Sequence, residues 1–138
     1  MKQNQGFTLT EVMITILVLA IISAIAVPTY LSQTKKAHLN KAHATLLLNV
    51  HFMEQYYAQH KTFKKTSTTW PDLPHQKTDK FDISFTSKAK GKLPNRYSLQ
   101  AIPNQQYEKT ENRFIEIDHN GEAKICHKEG KSKKCQAW

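Results

Sequence analysis

The sequence predicts an α+β fold, in which one long N-terminal helix packs on a four-stranded antiparallel sheet. Three observations lead there. Residues Val12–Val27 read VMITILVLAIISAIAV, a run without a single charge. Beyond it Leu39, Ala42, Leu46, Val50, Met53 and Tyr57 recur at spacings of 3, 4, 4, 3 and 4, which is one apolar stripe of a helix. The rest of the chain holds four short strand-like segments separated by turn residues.

The helix comes first in the chain. Phe7, Leu9 and the residues up to Leu31 extend the uncharged run to spanning length, since a bilayer takes about 20 apolar residues. Only Glu11 interrupts it, near its start. From Lys35 the pattern changes to a single stripe with Lys35, Lys36, Lys41 and Gln55 between the apolar positions. The predicted helix runs from Phe7 to about Gln59, near 75 Å at about 1.5 Å per residue. Its first half is apolar all round and its second half needs a sheet to cover one face. Pro28 lies late in the apolar run and is expected to kink or loosen the helix, because it lacks an N–H and its ring crowds the preceding turn.

The strands follow. Phe81–Phe85 alternates cleanly, as does Tyr97–Ala101 before Pro103. Phe114–Ile117 and Glu122–Ile125 flank Asn120-Gly121, a hairpin-turn signal. Trp70 lies in the Trp-Pro-Asp-Leu-Pro connection between helix and sheet, where it serves either as a plug under the sheet or as an exposed aromatic contact.

Composition narrows the function. At 138 residues the chain is one domain in size, and 39% apolar content supports a modest core. Two Cys and four Gly exclude a disulfide-dense mini-protein and a collagen. The 20 Lys+Arg against 11 Asp+Glu leave +9, which favours an anionic partner such as nucleic acid, a lipid surface or an acidic protein. There is no G-x-G-x-x-G, Walker A, H-E-x-x-H or G-x-S-x-G pattern. The seven His show no catalytic spacing with a Cys or carboxylate. The reading is therefore not an enzyme, with no cofactor and no metal.

Three explanations compete for the apolar head. A secretory signal ends in a small-residue cleavage site after a short core, but here the run continues into a helical pattern. A plain membrane anchor leaves Glu11 unexplained, because a carboxylate in hydrocarbon is costly. The third is cleavage before the run. Gly6-Phe7-Thr8-Leu9-Thr10-Glu11 and the apolar residues after it resemble the class III signal of type IV pilins and pseudopilins: a short basic leader ending in Gly, then Phe, then Glu four residues further on. Pro28 and Tyr30 also stand where pilins commonly carry those residues, while Thr10 replaces the usual Ile or Val.

The resemblance implies a leader over residues 1–6, an apolar helix half over 7–30 that serves membrane and filament core, and a pilin globular domain over 31–138. It implies cleavage after Gly6 by a prepilin peptidase and N-methylation of Phe7. In assembly Glu11 would offer its carboxylate to the amine of a neighbouring pilin subunit, and Pro28 would let the helix loosen as the subunit leaves the membrane. Glu11 also suits a helix start on dipole grounds alone. The implied location is the inner membrane of a Gram-negative bacterium before assembly and the extracellular pilus after it.

Placing the body outside the cytoplasm makes the compartment oxidising, and Cys126 and Cys135 then have one intrachain pairing. Such a bridge after the last predicted strand matches the C-terminal disulfide loop of pilins. A metal site on Cys126, His127, Cys135 and His119 is the rival, without a standard ligand spacing.

Charge gathers in two places. Lys88, Lys90, Lys92 and Arg96 lie between the first two predicted strands with no acid among them, and Lys128, Lys131, Lys133 and Lys134 lie in or beside the disulfide loop with Glu129. The two loops are expected to face the same side. Such loops are either ordinary solvated surface or a phosphate-binding surface with salt-dependent affinity. Tyr97, Tyr107 and Trp138 are the aromatic neighbours for stacking, and Asn95, Arg96 and Gln136 the candidates for base contacts. His51–Gln59 and Thr68–Pro74 resemble minor pilins of neisserial type, a group that includes competence pilins binding extracellular DNA. That resemblance implies a DNA-binding surface built from these two loops. The chain departs from it in carrying one Cys pair where competence pilins carry two. A structural or adhesion-modulating minor pilin and a type II secretion pseudopilin are the alternatives.

Overall fold

The computed structural model describes residues 6–130 and 132–138. Residues 1–5 of the expected leader and Lys131 lie outside the described residues. One helix, α1 (Leu9–His60), is followed by five strands: β1 (Phe81–Phe85), β2 (Ser98–Pro103), β3 (Arg113–Asp118), β4 (Ala123–Glu129) and β5 (Ser132–Ala137). The chain divides into two compact units, residues 1–36 and 37–138.

In the first unit the start of α1 is closed by a capping box. The Thr8 backbone N–H and hydroxyl both donate to Glu11 Oε2, at 2.8 and 2.7 Å, and the Glu11 N–H donates back to Thr8 Oγ1 at 3.3 Å. The spacing Thr8-x-x-Glu11 makes this possible, because each side chain reaches one of the otherwise orphaned N–H groups of the first turn. Past the cap the helix is exposed on every side, and one 18-residue stretch reaches a mean hydropathy of 2.6. It is long and apolar enough to cross a membrane. The helix continues through Pro28. The proline withholds its own hydrogen bond, and the Thr29 hydroxyl donates to the Ile25 carbonyl at 2.9 Å.

In the second unit the predicted stripe is buried from Leu39 to Met53. Tyr57, expected to extend it, is exposed and rests on Phe63 with ring centroids 4.6 Å apart. The stripe ends early because α1 stops one turn later at Lys61. That residue adopts a left-handed conformation (φ 57°) while its N–H donates to Tyr57 O at 2.8 Å, the αL form of helix cap that glycine usually supplies.

The five strands form one antiparallel meander in the order β1-β2-β3-β4-β5. Its inner face sends Phe81, Ile83, Leu99, Ala101, Ile115 and Ile117 into one core with the helix stripe. Strict alternation makes this possible, since residues two apart share a face. The expected four strands become five. β4 continues past Ile125 to Glu129, and the segment expected to be a loop returns as β5 beside it. Cys126 and Cys135 therefore lie within paired strands, directly opposite each other, where they are joined by the disulfide. Lysine and alanine are depleted in strands, and no apolar alternation marks Ser132–Ala137; the covalent link and the ladder hold it.

The Asn120-Gly121 signal does mark a hairpin. Gly121 takes the left-handed conformation (φ 80°) after a turn closed by its N–H donating to Asp118 O at 3.0 Å. Asp118 Oδ1 also accepts from the N–H groups of Asn120 and Glu122. The free edge of β1 is covered by the preceding segment, where the Ile83 N–H donates to Gln76 O at 2.7 Å.

One buried polar residue breaks the apolar pattern. Asn49 sits fully buried within the stripe. Its side-chain N–H donates to His75 O at 2.7 Å, and its carbonyl oxygen accepts from the His75 N–H at 3.2 Å. This pair fastens the helix-to-sheet connection onto α1. Replacing Asn49 with Ala leaves both backbone groups without their partner and is expected to cost about 1–3 kcal/mol. Chemical denaturation of the full chain in detergent should show a lower midpoint; an unchanged midpoint would mean that the connection does not depend on this latch.

Candidate nucleic-acid interface

The β1–β2 loop is built on aromatic and backbone supports. Trp70 stacks on Phe85 at 4.9 Å and 11°, and its indole N–H donates to Ser87 O at 2.7 Å. Of its two expected roles, Trp70 takes the packing one: it is half-buried at the edge of the core, under the start of the loop. Ala89 is buried, and the Lys92 N–H donates to its carbonyl at 3.1 Å. At the far end the Phe63 N–H and Thr62 hydroxyl both donate to Pro94 O, at 2.9 and 3.2 Å. Lys64 Nζ donates to Lys92 O. The loop is thus tied to the segment that follows α1.

These ties use backbone groups and the side chains of Thr62, Lys64 and Trp70, and leave the loop's own charged side chains outward. Lys88, Lys90, Lys92 and Arg96 are exposed. Among the described residues no carboxylate lies within ion-pair distance of any of the four. Beside them opens a cleft of about 460 Å³ lined by Trp70, Gly91, Lys92, Arg96, Asp118 and His119 among others.

The C-terminal lysines are arranged differently. Lys128 reaches Glu108 at 3.2 Å, Lys133 reaches Glu116 at 2.5 Å and Lys134 reaches Glu129 at 3.0 Å. Each of these cations is already matched by an acid. Glu116 also lies beside the Cys126–Cys135 pair. The disulfide takes both thiolates away from any metal, so the rival ligand set loses its two sulfurs.

The two basic regions do not share an end of the sheet, contrary to expectation. In the meander Ser98 pairs with Asp118, which places the β1–β2 loop beside the β3–β4 turn. The β4–β5 turn, between Glu129 and Ser132, lies at the opposite end. At about 3.4 Å per residue, six residues of strand separate them by roughly 20 Å. Three strands, β2 to β4, lie between the two turns, and in a meander an odd number of strands puts them at opposite ends.

The aromatic candidates are mostly occupied. The Tyr97 ring is buried against Phe63 and Phe85, and its phenol is pushed up by burial and by the Glu54 and Asp118 carboxylates. Tyr107 packs between His38 and Phe81. Trp138 stacks on His43 at 4.5 Å, which fastens the C-terminus to α1. His43 is pushed below its usual value by burial. Asn95, Arg96 and Gln136 are exposed, the first two in the β1–β2 loop and the last on β5.

A helix that is greasy on every side in one half and holds a sheet on the other suits a filament subunit, and solved structures similar to this chain include pilins. The solution structure of the minor DNA-uptake pilin ComP from Neisseria subflava is 31% identical with a TM-score of 0.60, over 73% of this chain and 95% of that one. The non-core minor pilin PilV of Neisseria meningitidis is 25% identical with a TM-score of 0.58, over 73% and 94%. ComP from Neisseria meningitidis is 30% identical with a TM-score of 0.51, over 78% and 98%. No curated protein matches the chain in sequence. The prokaryotic N-terminal methylation motif matches residues 1–27, and the family described as "Type IV minor pilin ComP, DNA uptake sequence receptor" matches residues 28–113. The chain belongs to this ComP family of type IV minor pilins. Its members are filament subunits and not enzymes. The subunit is processed as a prepilin, anchored in the membrane by its apolar helix, and incorporated with other pilins into the extracellular pilus.

Proposed function

We propose that this minor pilin binds extracellular duplex DNA through its β1–β2 loop and serves DNA uptake in natural transformation. The observation that carries the reading is the set of Lys88, Lys90, Lys92 and Arg96, exposed, unmatched by acids among the described residues, and presented by a backbone tied at both ends. Cations without a protein partner are free to displace condensed counterions from phosphates, which is the source of salt-dependent DNA affinity. The names of the family and of the Neisseria subflava structure, a DNA uptake sequence receptor and a DNA-uptake pilin, point the same way. Lys128, Lys133 and Lys134 contribute only after giving up their carboxylate partners, and Lys131 lies outside the described residues. That pairing is also what favours the alternative, a minor pilin without a nucleic-acid role.

Fluorescence anisotropy of a labelled duplex with the full-length protein in detergent tests the proposal. Binding is expected to weaken steeply between about 50 and 200 mM salt. Changing Lys88, Lys90, Lys92 and Arg96 together to Ala should flatten the plot of log affinity against log salt by about 3 to 4, at about 0.9 for each phosphate that is no longer neutralised. Absence of binding at low salt would leave the alternative reading in place.

The proposal extends to processing and assembly. Cleavage separates Gly6 from Phe7, Phe7 is N-methylated, residues 7–30 enter the membrane and then the filament core, and residues 31–138 form the displayed globular part. Glu11 receives a neighbour's N-terminal amine while still capping its own helix through Thr8. The two roles separate in one substitution, because Gln keeps the hydrogen bond of a capping box but loses the charge. Glu11→Gln is therefore expected to leave the membrane-bound subunit at normal levels and to deplete it from sheared pili on immunoblots. Normal incorporation would reduce Glu11 to its capping role.

A further inference from the structure

The β1–β2 loop presents a hydrophobe as well as charge. After α1, the exposed large apolar side chains among the described residues are Leu93 and Trp138, and Trp138 is stacked on His43. Leu93 is 57% exposed. The backbone around it is held at three successive carbonyls. Lys64 Nζ donates to Lys92 O, the Arg96 N–H to Leu93 O at 3.4 Å, and the Phe63 N–H to Pro94 O at 2.9 Å. Pro94 adds its own fixed φ and restricts Leu93 to extended conformations. Lys90, Lys92 and Arg96 surround it in sequence with no acid between them.

We propose that Leu93 is a wedge that enters a base step of duplex DNA from the minor groove while Lys90, Lys92 and Arg96 contact phosphates on either side. This rests on the DNA-binding reading above and adds the mode of engagement. Apolar side chains such as Leu, inserted from the minor groove, partly unstack a step and bend the duplex, which brings more phosphate within reach of the protein. Unstacking opposes insertion, so a flexible tip would fold back instead; a tip held at three carbonyls keeps its shape. Pyrimidine–purine steps deform most easily and are the expected sites. Lipid insertion, by comparison, asks for a whole apolar face, whereas a single leucine between basic residues matches a single step.

The experiment titrates the full-length protein in detergent into duplexes carrying 2-aminopurine beside a TA or CA step. Fluorescence is expected to rise severalfold as the duplex saturates. Leu93→Ala should abolish the rise and Leu93→Phe should keep it, and since the side chain is exposed neither change disturbs the core. Salt-dependent binding without any rise would overturn the wedge and leave the DNA-binding reading standing. A rise that survives in Leu93→Ala would also overturn it by placing the unstacking elsewhere. Absence of binding would overturn both.

Discussion

Burial of one helix stripe against one sheet face organises the second unit. Leu39, Ala42, Leu46, Val50 and Met53 supply one side of that core, and alternate residues of β1, β2 and β3 supply the other. The strand period is two, so a slip of one residue in any of these ladders would turn Leu99, Ile115 or Ile117 out to water and bring Gln100 or Glu116 in. The core thereby sets the register of the meander. Register in turn decides which loops meet: the β1–β2 loop shares an end with the Asn120-Gly121 turn, and the disulfide-braced turn is sent to the other.

That sorting separates two kinds of lysine. Near the disulfide, Lys128, Lys133 and Lys134 each face a glutamate, and Lys133–Glu116 crosses the sheet beside the buried Cys126. Exposed pairs of this kind contribute little to stability, yet they lower the net field that a polyanion meets. Around Lys88–Arg96 no such compensation exists among the described residues, and the loop is fixed through carbonyls and through the Trp70–Phe85 stack below it. Formal charge counted along the sequence treats both regions alike; charge counted after pairing does not.

Much of this is legible in the residues. The helix stripe, four of the strands and the hairpin at Gly121 follow from periodicity and turn chemistry, because local spacing determines which side chains share a face. The Cys126–Cys135 bridge follows from compartment and resemblance. Other features depend on partners distant in sequence. The partner of Asn49 is a backbone 26 positions away, and β5 has neither the alternation nor the composition of a strand. The Thr8–Glu11 capping box is visible as Thr-x-x-Glu, but the dipole explanation of Glu11 obscures it. Charge alone groups the two basic loops, whereas their placement depends on the number of strands between them.

The placement of DNA on the molecule is tested most directly by hydrogen–deuterium exchange of the full-length protein with and without duplex DNA. Protection is expected in the segment from Ser87 to Arg96 and in the adjoining Thr62–Lys64 backbone, with the Lys128–Lys134 turn unchanged. Protection confined to that C-terminal turn, with no effect in the β1–β2 loop, would contradict the account.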